Sequence, residues 1–470
     1  MSCCVLVACS YEEPEPVCEA PVPFEGALRV EGTSVLDSRG RSVTLRGVNL
    51  GGRSKFAPYV PVDYDTSAAD PLDAYLDVLE PTLDTLAAWG AVTLRVPWSW
   101  AALEPTEGTY DQAYLARLDG LVDAAHVRGF DVILDFHQDI YAEPLCGDGF
   151  PAWTLPGDPG PPQRDCPTWF LGYFNDDEVL AAFDRLWANE DGLLDRTNDV
   201  WAFIVERYAD HPGVIGYEPL NEPGWGSMDR HEFSANVLPA WYEALVPRLQ
   251  EIDEDAIFFL DVNGVDGAEV ETAMERPDLE SIVFAPHYYH PSLVLGDDAP
   301  FIDDDALEPL SGWAAVGEEW GVPLLLGEFG IPIGRAGELP WIRSHYDAFD
   351  ALGMHSTHWE VSRSVEVWND EYLSLMTPGG APEPVVAEVA RPWARAVAGT
   401  LVEQVVDMDA GTARIAWDDF TESGVTELIV PSYGWGEASI EVEGGCVAAR
   451  DGSRVSVRAT GPAVSVTIER

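Results

Sequence analysis

Short apolar runs punctuate the chain, each ending in polar residues, and amphipathic stretches fill most of the gaps between them. Runs at 43–50, 91–96, 131–136, 213–217, 256–261, 281–285, 323–327 and 355–360 read as buried strands. Helical patterns intervene at 81–90, 111–129, 177–210, 241–252, 306–321 and 339–353, and a closing helix is expected over 382–398. The first of these carries Pro at its start and Gly at its stop. The second sets Leu115, Leu118, Leu121, Val122 and Ala125 on one face. Strand and helix in alternation imply a parallel sheet, and eight such units imply an α/β fold closed into a (β/α)8 TIM barrel. A doubly wound sheet would want a Gly-rich phosphate loop after an early strand, and no G-x-G-x-x-G spacing occurs. Beyond about residue 400 the runs 412–417, 425–430, 438–442, 454–458 and 464–468 alternate at period two, as in a small antiparallel β-sandwich. The expected division is a signal remnant and linker over 1–23, the barrel over 24–398 and the sandwich over 399–470.

In a barrel of this kind the carboxyl ends of all eight strands open on one mouth. Two of those ends stand out. Gly216-Tyr-Glu-Pro-Leu-Asn-Glu-Pro223 leaves Glu222 just past a strand, where Pro223 cannot continue the ladder. Pro323-Leu-Leu-Leu-Gly-Glu-Phe-Gly330 does the same for Glu328. Two carboxylates at two strand ends are the minimum equipment for cutting a glycosidic bond. The other strand ends carry Asn49, Arg95, His137 with Asp139, Asn221, His287 with Tyr289, and His358 with Trp359. Taken singly, Arg95 could be a structural ion pair, His137 a core histidine and Trp359 ordinary packing. Gathered on one face, they form a polar set that a core would not hold.

Composition narrows the partners. The chain has 82 acidic and 26 basic residues, a net charge of −56, which excludes nucleic acid as a partner and disfavours anionic polymers and surfaces. No apolar run is long enough to span a bilayer. Of seven cysteines, Cys146 and Cys166 enclose a Gly/Pro-rich segment that suits a disulfide in an exported protein. Leu6-Val-Ala-Cys9 resembles the end of a bacterial lipoprotein signal, with Cys9 as the lipidated residue.

The strand-end motifs Leu94-Arg-Val96, Asp135-Phe-His137, Leu220-Asn-Glu-Pro223, His287-Tyr-Tyr289, Gly327-Glu-Phe-Gly330 and Trp359 resemble glycoside hydrolase family 5 over roughly residues 26–398. That resemblance implies Glu222 as acid/base and Glu328 as nucleophile. A narrower resemblance, to endoglycoceramidases and related glycosylceramidases, rests on Gly47-Val-Asn-Leu50, Lys55, Asp135-Phe-His-Gln-Asp-Ile-Tyr141, Gly147-Asp-Gly-Phe-Pro-Ala-Trp153 and the C-terminal sandwich. It implies that Lys55, His137, Asp139 and Trp169 bind the sugar nearest the scissile bond. The expectation is a secreted or outer-surface, lipid-anchored monomer without cofactor or metal, acting on a glycolipid or oligosaccharide with peripheral contact to membrane lipid. Loops 56–62, 150–155 and 225–233 are expected to wall an apolar groove. An endo-β-glucanase or mannanase of the same family, or a glycan-binding barrel without activity, are the alternatives. The chemistry predicts carboxylates about 5 to 5.5 Å apart and retention of configuration. It also predicts a Glu222 pKa raised by burial and by the charge of Glu328.

Overall fold

The computed structural model describes residues 18, 26–62, 72–163, 165–166, 168–291, 305–363, 372–418 and 424–470. Expectations for the first seventeen residues, including lipidation of Cys9, lie outside the described residues. Eight parallel strands form the central sheet: β1 (Arg46–Asn49), β2 (Thr93–Trp98), β3 (Asp131–Phe136), β4 (Val214–Glu218), β5 (Ile257–Leu260), β6 (Ile282–Phe284), β7 (Leu325–Leu326) and β8 (His355–His358). Their order is β7-β8-β1-β2-β3-β4-β5-β6, and a single bridge between Phe284 and Leu324 joins the two ends. The sheet is therefore the expected TIM barrel.

The strands are almost wholly buried, because helices cover the outside and side chains fill the inside. Ile133, Phe259, Val283 and Leu325 cluster with Val35 and Val43 from two of the chain's first described strands and with Leu45 just after them. The helices start and stop where local chemistry dictates. Asp111 caps Gln112–Val127 by accepting from the backbone N–H groups of Ala113 and Tyr114, and Gly353 ends Glu338–Leu352 in the left-handed conformation.

The C-terminal region is an antiparallel pair of sheets, as expected, but it is assembled from both ends of the chain. Its seven-stranded sheet runs Arg29–Glu31, Ser34–Leu36, Ser42–Val43, Trp393–Val397, Val425–Ile429, Arg454–Ala459 and Gly445–Asp451. Its four-stranded sheet runs Thr400–Asp407, Thr412–Asp418, Ala463–Glu469 and Ser439–Glu443. Ile415, Trp417, Leu428, Val457 and Val466 pack in one cluster there. Disulfide Cys18–Cys446 ties Cys18 to the strand Gly445–Asp451 of the seven-stranded sheet.

Several expected elements are corrected. The run 43–50 is split: Ser42–Val43 pairs in the sandwich and Arg46–Asn49 in the barrel. The first helix begins at Leu72, not at Pro81, which lies inside it; burial of Tyr75, Leu79, Leu83 and Leu86 carries the helix through the proline. The span 177–210 is two helices, Asp177–Trp187 and Leu193–Tyr208, broken where Asn189 and Gly192 take positive φ. The closing helix is only Val386–Val389, because Pro392 stops it and Trp393–Val397 pairs as a strand.

Candidate active site

At the mouth of the barrel one cation organises the floor. Arg95 stands inside β2, its third residue, rather than at the strand end as expected, and is completely buried. Its Nε and Nη2 donate to both oxygens of Glu218, at 2.7 and 2.6 Å. Its Nη1 donates to Glu328 Oε1 at 2.7 Å and to Asn49 Oδ1 at 2.9 Å. Nη2 also reaches Asn221 Oδ1 at 2.9 Å and lies 3.1 Å from Asp135 Oδ2. A buried guanidinium with its planar fork engaged on all sides fixes the strand ends relative to one another. The Asn221 side-chain amide donates one hydrogen to the Gln138 carbonyl at 3.0 Å.

Glu222 and Glu328 face each other across this floor. One carboxylate oxygen of each, together with a ring nitrogen of His287, lie within 4.8 Å of one another. His287 Nδ1 is 3.0 Å from Glu222 Oε1 and 3.6 Å from Glu328 Oε2. The Tyr289 hydroxyl donates to Glu328 Oε2 at 3.0 Å. Behind Glu222 the backbone is strained: its φ is +38°, its N–H donates to Asp261 Oδ2 at 2.9 Å, and its carbonyl accepts from Gln138 at 2.9 Å. A non-glycine residue held there by two hydrogen bonds is the kind of stored strain that collects at working sites.

Electrostatics separate the groups. Burial, with the charge of Asp139, pushes the Glu222 carboxyl up to about 7, although 14% of its side chain stays open to the mouth. The charge that adds most is that of Asp139, not of Glu328 as the sequence reading expects. Burial lowers His287 to about 4, leaving a neutral imidazole beside Glu222. Burial, with Asp135 close by, pushes Glu218 up to about 7 against the pull of Arg95.

A second group lines one side of the mouth. Lys55 Nζ lies 2.7 Å from Asp139 Oδ2 and 4.4 Å from the centroid of the Trp359 ring. His137 stacks on Trp359 with centroids 5.2 Å apart and 10° between planes, and its Nδ1 bonds Asp135 Oδ2 at 2.7 Å. Burial opposes the imidazolium of His137, but Asp135 and Asp139 outweigh it and hold its pKa well above the ordinary value. Lys55, the neighbours His137 and Asp139, and Trp359, drawn from three distant parts of the sequence, thus form one platform. Trp169 stands on the insertion after β3, half-buried on the turn Trp169–Leu171 with its ring edge-on to Phe170. Disulfide Cys146–Cys166 closes the same insertion, as expected.

One expected mouth residue faces elsewhere. His358 is turned outward by the alternation of β8, with its Nδ1 3.4 Å from the Tyr346 hydroxyl and its ring on Phe329. Four residues have no role assigned from sequence: Glu218, Asp261, Gln138 and Asp148, although Glu218, Gln138 and Asp148 lie within the motifs. Glu218 and Asp261 end apolar strands as Glu328 does, and that position was the available signal. Among the described residues, three acid–histidine groupings bring ligand-type atoms within 4.8 Å: His137/Asp139/Asp148, Glu218/Asp261/His287 and Glu222/His287/Glu328. Each already holds a cationic side chain, Lys55 in the first and Arg95 in the other two.

The family model for cellulase (glycosyl hydrolase family 5) matches residues 61–364. The chain is similar to Endoglycoceramidase I of Rhodococcus hoagii (strain 103S), 28% identical over 472 residues, which is 94% of this chain and 88% of that one. Among solved structures it resembles endo-glycoceramidase II from Rhodococcus sp. in its ganglioside GM3 complex, with TM-score 0.76 and 26% identity over 93% of this chain and 99% of that one. The same enzyme as its lactosyl-enzyme intermediate gives TM-score 0.74 and 25% identity, over 92% and 98%.

Proposed function

The chain belongs to glycosyl hydrolase family 5, and from that premise we propose that it is a retaining β-glycosidase that releases the oligosaccharide of glycosphingolipids from ceramide. The observation that carries this reading is the approach of Glu222 and Glu328 to within 4.8 Å through one oxygen each. That spacing leaves no room for a water between carboxylate and sugar, as inversion would need, and suits direct attack.

Glu328, held by Arg95 and the Tyr289 hydroxyl, attacks the anomeric carbon through a carboxylate oxygen. Glu222, protonated because burial and Asp139 raise its pKa to about 7, gives its proton to the departing ceramide oxygen. The C–O bond to ceramide breaks as the bond to Glu328 forms. Esterified Glu328 carries no charge, and Glu222, now a carboxylate, takes a proton from the water that hydrolyses the ester. Two displacements return the β configuration. The Asn221 side chain serves the sugar 2-hydroxyl, a contact that strengthens in the oxocarbenium-like transition state. Lys55, His137 and Asp139 bind hydroxyls of the same sugar, which stacks on Trp359.

The substrate class is supported by the relatives named endoglycoceramidase and by the ganglioside complex of one of them. It is also supported by apolar surface on the insertion. Phe174 and Leu171 are 54% and 40% exposed, and Phe174 meets Trp225 edge-on. Such a wall suits a lipid tail and contact with a lipid surface. Trp169, on the same insertion, completes the sugar pocket. Two disulfides support export, and no helix among the described residues is long and apolar enough to cross a membrane. The enzyme acts as a monomer. The test is product mass from a panel of ganglioside GM3, lactosylceramide and carboxymethyl cellulose: intact oligosaccharide plus ceramide supports the reading, and cleavage of the cellulose alone contradicts it.

A further inference from the structure

Asp148 is 1% exposed, and both of its carboxylate oxygens are buried with no hydrogen-bond partner. A buried carboxyl so placed costs stability and calls for a reason. The chain takes trouble to put it there. The stretch from Gly147 to Gly149 lies antiparallel to the stretch from His137 to Asp139, joined by Asp148 N–H donating to the Asp139 carbonyl at 2.8 Å. A Cβ on Gly147 would fall 2.1 Å from the Asp139 carbonyl oxygen, and one on Gly149 2.4 Å from that of His137. Gly149 also takes φ +95°. Only glycines on either side let the backbones close, and the carboxyl between them is pressed to within 4.8 Å of Asp139 and His137. Cys146, next to Gly147, pins the stretch through its disulfide to Cys166.

We propose that Asp148 is a positioning residue behind the sugar pocket, its neutral carboxyl turning to donate a hydrogen bond to Asp139 and fixing that carboxylate toward the sugar hydroxyls. Two buried acids this close do not both ionise, and Lys55 makes Asp139 the one that does. Burial, then Asp139, holds the pKa of Asp148 well above the ordinary range. The charged groups acting on Asp148 are Asp139, His137, Lys55 and Glu143. When Asp148 loses its proton the donor is lost and a second negative charge stands behind Asp139. Lys55 then turns inward, and the sugar site weakens.

The inference rests on the sugar-pocket reading above, so its test is run on Glu222→Gln protein, which removes that residue's own titration. Calorimetry measures the Kd of a lactosyl thioglycoside, which is not hydrolysed, from acid to alkaline pH. The parent is expected to bind more weakly on the alkaline side. Adding Asp148→Asn, whose amide donates at every pH, moves that weakening to higher pH. Adding Asp148→Ala, which removes the donor, weakens binding about tenfold throughout. An alkaline limb identical in the parent and the Asn variant overturns the proposal, even where the Ala variant fails to fold. If the parent binds no thioglycoside at any pH, the sugar-pocket reading itself fails and takes this inference with it.

Discussion

Glu222 Oε1 lies 3.0 Å from His287 Nδ1, a carboxyl raised to about 7 beside an imidazole lowered to about 4. Between those values the pair carries one proton more than an isolated acid would, and it sits on Glu222. The acid form is the one that starts the reaction. As pH rises through about 7 that form disappears, so kcat/KM falls on the alkaline side. Replacing Glu222 by Gln abolishes that limb and lowers the rate on glycolipids about 10²- to 10⁴-fold. A pH–rate profile of both proteins checks this. Added azide, which needs no general base, restores turnover of an activated aryl glycoside in Glu222→Ala.

Asp139 raises Glu222 by its charge and also anchors Lys55. Asp139→Asn therefore has two effects, of which loss of a sugar contact alone would give only the first. KM rises, because Lys55 loses its partner. The alkaline limb moves to lower pH, because Glu222 loses a neighbouring negative charge. A variant with raised KM and an unmoved limb contradicts the electrostatic part of the account.

Arg95 is as much a structural residue as a functional one. Removing it as Arg95→Met leaves Glu218, Asp135 and Glu328 buried without their cation. The expected loss is about 3 to 5 kcal/mol of stability along with activity, read from urea unfolding. A variant that keeps its urea midpoint while losing activity shows the network to be catalytic only.

Disulfide Cys146–Cys166 closes a sequence separation of 20 residues, worth about 3 kcal/mol in the chain-entropy account. Cys146→Ser with Cys166→Ser lowers the melting temperature. It also raises KM for glycolipid, since Gly147 to Gly149 lose their anchor. An unchanged KM would separate the insertion from the sugar site.

Much of this site is legible in the sequence because a parallel barrel turns strand ends into one surface. Apolar runs mark the strands, and the polar residue after each run marks the mouth, as for His137, Glu328 and His287. What stays hidden has physical causes. Glu218 and Asp261 look like strand residues until Arg95 and the Glu222 backbone are seen to need acceptors. His358 is misplaced because one residue of a strand's alternation decides inside from outside. The strand Trp393–Val397 reads as helix, since its partners, Ser42–Val43 and Val425–Ile429, lie in distant parts of the chain. Pairing at that separation leaves no local trace.

The central claim is that Glu328 forms a covalent bond to the sugar while Glu222 stands opposite it. The direct test is peptide mass mapping after inactivation with a 2-deoxy-2-fluoro lactosyl fluoride, which forms the glycosyl-enzyme and releases it slowly. The account predicts one added sugar unit on the peptide containing Glu328. A label on Glu222, or active enzyme that never acquires the added mass, would contradict it.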